Sequence, residues 1–261
     1  MRTAALVVGG AGALALGVAD SAYRNRDWGA TTTEIAAVLP GDDLVATPAE
    51  NVTRGVTIQA PAERVWSWLV QIGQDRGGMY SYDRLENLLG LRIHSADHLD
   101  DRWQRLAVGD TVRLIPQGWL GLRDGYALPV VELVPGRSIV LREDPKDGPW
   151  DAVWSFHLAP LDAHRCRLIS RSRASRSSAA GRVVALVMDP VTLLMTRRML
   201  LGIKERAERF EQQEQAAQSE QTERSPRSAP SDRSPQPGPA ARAARPERTR
   251  RFRRLSPLAT G

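Results

Sequence analysis

Residues 73–90, GQDRGGMYSYDRLENLLG, gather the side chains best suited to chemistry: Arg76, Tyr80, Tyr82, Asp83 and Glu86. Arginine and tyrosine hydrogen-bond oxygen-rich ligands, and a carboxylate beside them supplies a base. Two readings stand side by side. In one, Arg76 pairs with Asp83 or Glu86 to fix a Gly77–Gly78 hinge, and the tyrosines pack as amphipathic core residues. In the other, Tyr80 and Tyr82 stand at the mouth of a cavity and contact a ligand.

Other constellations are weaker. His94 and His98 are four apart in HSADH, a metal-pair spacing only if the segment is helical, and no third ligand follows at a recognisable spacing. No metal is expected. Neither a nucleophile elbow nor a nucleotide-binding glycine loop is present, and no cofactor is expected. The single cysteine, Cys166, excludes an internal disulfide and reads as a buried structural thiol. In the strand-like WDAVWSFHLAPL, Trp154 and Phe156 share one face with Trp150, Ala152 and Leu158. Val153, Ser155 and His157 take the other, so His157 is expected to face out.

The elements that position these residues follow from periodicity. TRGVTIQA alternates like a strand. APAERVWSWLVQIG follows as a helix, with Pro61 and Glu63 at its start and a stripe of Val65, Trp66, Leu69, Val70 and Ile72. SYDRLENLLG predicts a second short helix, capped by Ser81 or Asp83, with Leu85, Leu88 and Leu89 as its apolar side. Five strands are expected at 111–116, 126–135, 137–143, 150–161 and 165–175, separated by turn formers at hairpin spacing. A long helix over 181–212 closes the pattern, with Pro190 kinking or splitting it. A sheet packed on helices at one face is α+β.

The words TRGVTIQAPAERVWSWLVQIGQDRGGMYSYDRLENLLG, WQRLAVGDTVRL and MDPVTLLMTRRMLLGIKERAE resemble the START-like (SRPBCC) superfamily of polyketide cyclase/dehydrase and lipid-transport proteins. The phrase RGGMYSYDRLENLLG resembles an actinobacterial-type subgroup. The resemblance covers about residues 53–210 and implies a helix-grip fold, a curved antiparallel sheet around a long C-terminal helix. It implies a cavity for a hydrophobic or amphipathic ligand, and no catalytic set. Trp66, Arg76, Tyr80, Tyr82, Trp154, Phe156, Met195 and Met199 are the candidates for its wall or rim. Binding, carriage or sensing of a hydrophobic small molecule or lipid is the expectation. The alternative is a cyclase, aromatase or dehydratase, which predicts a buried acid or base beside a tyrosine or arginine.

The flanks differ in kind. Residues 4–19 carry no charge, and a helix of that length spans about 24 Å, short of a bilayer core of roughly 30 Å. The segment reads as a signal peptide or a marginal membrane anchor, or as a Gly/Ala-rich helix packed on the protein. Residues 20–52 read as a connector. Residues 213–261, rich in Pro, Ser, Ala, Gln and Arg, lack the apolar surface to offset ordering and read as a disordered tail. With ten Arg and five acids the tail holds +5 of the formal +6, so the folded part is nearly neutral. No specific nucleic-acid groove is therefore expected, while the tail and residues 4–19 are candidates for membrane contact. Membrane association or export follows from residues 4–19, with a cytoplasmic chain as the alternative.

Overall fold

The computed structural model describes residues 25–143, 151–175 and 179–224, with the side chains of 179–190 outside that description. Residues 4–19, Trp150 and the tail beyond 224 lie outside the described residues.

The fold is a six-stranded antiparallel sheet gripping one long helix, the expected helix-grip architecture. The strands are β1 (Glu50–Ile58), β2 (Thr111–Ile115), β3 (Tyr126–Val134), β4 (Ser138–Glu143), β5 (Asp151–Asp162) and β6 (Arg165–Ser175). Their order across the sheet is β1-β6-β5-β4-β3-β2. The helices are α1 (Thr32–Ala36), α2 (Ala62–Val70), α3 (Asp83–Leu88) and α4 (Ala179–Arg224). Each strand begins and ends within a residue of its sequence expectation, except β1, which starts three residues early at Glu50 and ends two early at Ile58. Helix α4 runs through Pro190 as one helix and continues past residue 212. The Arg64 guanidinium pairs with Glu214 and lies 4.0 Å from the Phe210 ring centroid, which ties this extension back to α2. Among the described residues, no helix is long and apolar enough to cross a membrane.

Loop backbone and side chains bond to both sheet edges. At β1 the Asp27 carboxylate accepts from Thr53 N at 2.8 Å, and Trp28 O accepts from Gly55 N at 3.2 Å. At β2, Gln74 N donates to Arg113 O at 2.8 Å.

Strand register sorts the two faces. Val56, Ile58, Phe156, Leu158, Cys166 and Leu168 share the inner face, against Met199, Leu200, Ile203 and Ala207 of α4. Burial pushes the Cys166 thiol up to about 11, as befits a structural thiol. Helix α2 buries Trp68 rather than Trp66, which is only partly covered. Gly202 lets α4 approach the chain at Tyr80, since a Cβ there would meet Tyr80 O at 2.1 Å.

The outer face departs from the sequence reading. His157 does lie opposite Phe156, as alternation requires, yet it is buried rather than exposed. The connector covers it. Arg167, Arg171 and Arg173 project from alternate positions of β6 and hold the connector against the sheet. Arg171, 1% exposed, donates to Asp42 and Ala37 O at 2.6 Å, to Glu34 O at 2.5 Å and to Thr53 Oγ1 at 3.1 Å. Arg167 grips both Glu34 oxygens, at 2.7 and 2.8 Å, and holds the Glu34 carboxyl below its usual range. Arg173 donates to Val45 O at 2.9 Å. A small apolar cluster of Val45, Val140 and Val153 lies under the same strap.

Two expectations follow. Arg171→Leu strands Asp42 as a buried, poorly compensated charge, so denaturant unfolding should show a loss of about 3–5 kcal/mol. Replacing both partners, as Arg171→Met with Asp42→Leu, should recover much of that loss; an equal loss in the double variant would show that the ion pair is not what matters. His157 is pushed down to about 4, first by burial and then by Arg171, from its ordinary value of 6.5. Between those values the unfolded chain binds the extra proton. Stability is therefore full above pH 6.5 and falls as pH drops toward about 4, by at most ~1.4 kcal/mol per pH unit. His157→Gln should flatten this part of the stability–pH curve relative to wild type.

Candidate functional site

The inner face is not apolar throughout. Its C-terminal contact with α4 is anchored where Lys204 Nζ donates to Thr57 O at 2.9 Å and Gln59 N donates to Glu208 at 2.7 Å. Away from that end, the same alternating parity that delivers Val56 and Ile58 delivers Arg54, which is buried. Register carries the row across the sheet from Arg54 to Ser170, Phe156 and Ile139. One step on, Trp154 faces Leu141 and Ser172, and the next row brings Glu143 opposite Ala152.

These groups interact. Trp154 Nε1 donates to Ser170 Oγ at 2.9 Å, and its ring is 4.7 Å from that of Phe156, tilted by 53°. Tyr126 Oη, from β3, donates to Glu143 Oε2 at 2.5 Å. Burial first, and then the adjoining Glu143, hold the Tyr126 phenol well above its usual range, so it keeps its proton and acts as a donor. A phenol against a buried carboxylate is an arrangement that can bind a ligand oxygen or move a proton.

The residues singled out from the sequence divide. Trp154 and Phe156 meet in this wall, and Met199 is buried in the core beside it. Met195 is half-buried, and its carbonyl accepts from Ser81 Oγ at 3.3 Å, joining α4 to the start of α3. Tyr80 takes the core alternative. Its hydroxyl donates to Trp68 O at 3.2 Å, its ring meets Trp68 edge-on, and the Arg206 guanidinium lies 4.8 Å from the ring centroid. Burial pushes the Tyr80 phenol above its ordinary value. Tyr82 is at the surface. Trp66 packs beside the core from α2. Arg76 pairs with neither Asp83 nor Glu86. It donates to Val70 O at 3.1 Å, at the end of α2, and to Trp103 O at 2.7 Å, in a distant turn.

Helix α3 differs most from expectation. Neither Ser81 nor Asp83 caps it; Asp83 accepts instead from Ser95 N and Oγ, both at 2.6 Å. Its leucines point outward: Leu85, Leu88 and Leu89 are 49%, 82% and 57% exposed. Its one buried residue is Glu86. Burial raises the Glu86 carboxyl, with Ser81 opposing; neither oxygen has a partner at full hydrogen-bond geometry. His94 and His98 lie in a non-helical segment, so the helical spacing of a metal pair does not form, and His98 Nδ1 sits 3.0 Å from Asp97.

Tyr126, Glu143, Arg54 and Ser170 were missed from the sequence, although a signal exists. Glu143 follows Ile139 and Leu141 on one parity, and Arg54 sits between Val52 and Val56 on another. A charge on an apolar parity is the mark of a polar group turned inward.

No protein-family model and no curated protein matches the chain. Similar solved structures exist. Protein MLL2253 from Mesorhizobium loti is 16% identical, over 61% of this chain and 98% of that one, at a TM-score of 0.36. A Thermobifida fusca protein is 14% identical, over 57% and 90%, at 0.37. The di-domain ARO/CYC BexL from the BE-7585A biosynthetic pathway is 12% identical, over 61% of this chain and 46% of that one, at 0.36. Likenesses of this size carry no argument about ligand or reaction. The sheet and helix themselves define the class, an α+β protein of helix-grip fold.

Tyr126→Phe removes the donor to Glu143 and leaves a buried carboxylate short of a bond. We expect thermal unfolding to show a loss of about 1–3 kcal/mol, largely restored by adding Glu143→Gln. An unchanged melting temperature in Tyr126→Phe would show that the pair is not formed in solution.

Proposed function

We propose that the chain binds a hydrophobic or amphipathic small molecule, or a lipid, between the inner face of the sheet and α4, and carries or senses it. The observation that carries this reading is the two-part inner face. Apolar side chains fill one end, and buried Arg54, Ser170, Trp154 and the Tyr126–Glu143 pair occupy the other. Ligand sites are apolar pockets with a few placed polar groups, so polar side chains turned onto one end of an otherwise apolar interior wall support a role in ligand contact. Residues 4–19 and the Arg-rich tail add membrane contact to this reading.

A second reading, a cyclase, aromatase or dehydratase on the same wall, is favoured by the Tyr126–Glu143 pair, a buried acid beside a tyrosine. There the Tyr126 hydroxyl would hold a ligand oxygen and Glu143 would take a proton.

Native mass spectrometry of the full chain, with solvent extraction of what it carries, tests the first reading. A bound small molecule or lipid is expected, or else saturable binding of added oleic acid. An empty chain that takes up neither oleic acid nor a polycyclic aromatic ketone would overturn it. Turnover of a poly-ketone that Tyr126→Phe abolishes would select the second reading over the first.

A further inference from the structure

The described surface carries one helix turned inside out. Helix α3 buries one of its two acids, Glu86, and presents Leu85, Leu88 and Leu89 to solvent. Tyr82 continues the stripe one turn earlier at helical spacing. The stripe extends on both sides. Trp119 Nε1 donates to Leu89 O at 2.7 Å, which fastens the 116–125 turn and its exposed Leu122 beside the end of α3. Ser81 Oγ, bonded to Met195 O, sets the other end beside exposed Leu194 of α4.

The exposed charges around this stripe are mostly positive. Arg84, Arg92 and Arg123 are exposed, and none forms an ion pair among the described residues. Of the acids in 82–92 and 119–125, Glu86 is buried, Asp83 is bonded to Ser95, and Asp124 alone is exposed. Both acids of α3 are thus engaged or buried, while its arginine and leucines are turned out. Exposing leucines beside unpaired arginines costs solvation with nothing gained in the isolated fold.

We propose that the outward face of α3, with the adjoining 116–125 turn, docks on an anionic phospholipid surface. The leucines enter the boundary between headgroups and acyl chains, and the arginines meet lipid phosphates. Charge chooses this occupant. Residues 4–19 are uncharged and offer the arginines nothing, while a second copy would oppose like charge to like charge. The docking surface belongs to the folded domain, separate from the two terminal segments, and its test reads that face directly, whatever the interior holds.

The test labels the full chain with an environment-sensitive NBD fluorophore at Leu88→Cys, the native Cys166 being buried. A control label sits at Ala163→Cys, in the exposed turn between β5 and β6. With vesicles of phosphatidylglycerol and phosphatidylcholine, the label at 88 should shift to the blue and the label at 163 should not. Pure phosphatidylcholine vesicles should give a much smaller shift at 88. Arg84→Gln with Arg123→Gln should weaken vesicle binding by about fivefold per arginine removed. No shift at 88 on a chain that still sediments with vesicles would overturn the proposal and assign binding to the terminal segments. Blue emission at 88 before vesicles are added would also overturn it, showing that protein already covers the face. Equal shifts with neutral and anionic vesicles would overturn the role given to the arginines.

Discussion

Arg171 holds the outer half of this fold together. An antiparallel sheet ordinarily keeps one wet face. Here a buried guanidinium reaches from β6 to three carbonyls, a hydroxyl and the Asp42 carboxylate, and brings the 31–45 connector down onto that face. The sheet becomes covered on both sides. Val140, Val153 and His157 are then interior residues, and the strap helps hold β1 and β6 in register, since Thr53 of β1 is itself one of the arginine's partners. The pair stabilises the fold only because every donor direction is matched; the same arginine with fewer partners would be a burden.

With the outer face sealed, the inner face alone is free to differentiate. One end is apolar and gripped by α4, whose Gly202 admits the backbone at Tyr80. The other end holds a tryptophan bonded to a serine and a tyrosine bonded to a glutamate. Tyr80 and Arg76 belong to the framework: one fills the space under α4, the other finishes α2. They set the position of α3 without being its working surface. That surface is the outward leucine stripe, which the framework holds in place but does not cover.

Much of this was legible in the sequence. Period-two alternation placed the strands closely, Pro61 and Glu63 placed the start of α2, and the run after Gly181 placed α4. Trp154 and Phe156 were correctly assigned to one face, because alternation is a local property of extended backbone. Tyr126–Glu143 was not found, because the two lie on different strands and meet only through the β3–β4 pairing. Arg76 was paired with nearby acids on proximity in sequence, whereas carbonyls at a helix end and in a distant turn competed more strongly for its donors.

What the sequence by itself determined is the alternation, the order of elements and the confinement of net charge to the tail, since each depends on neighbouring residues alone. Only the tertiary structure decided which faces see water. Whether His157 is exposed depends on a connector more than a hundred positions earlier, held by Arg171. Whether Leu88 is buried depends on which side of α3 the rest of the chain covers. Amphipathic pattern tells which side chains share a face, but burial is settled by what the rest of the chain lays against that face.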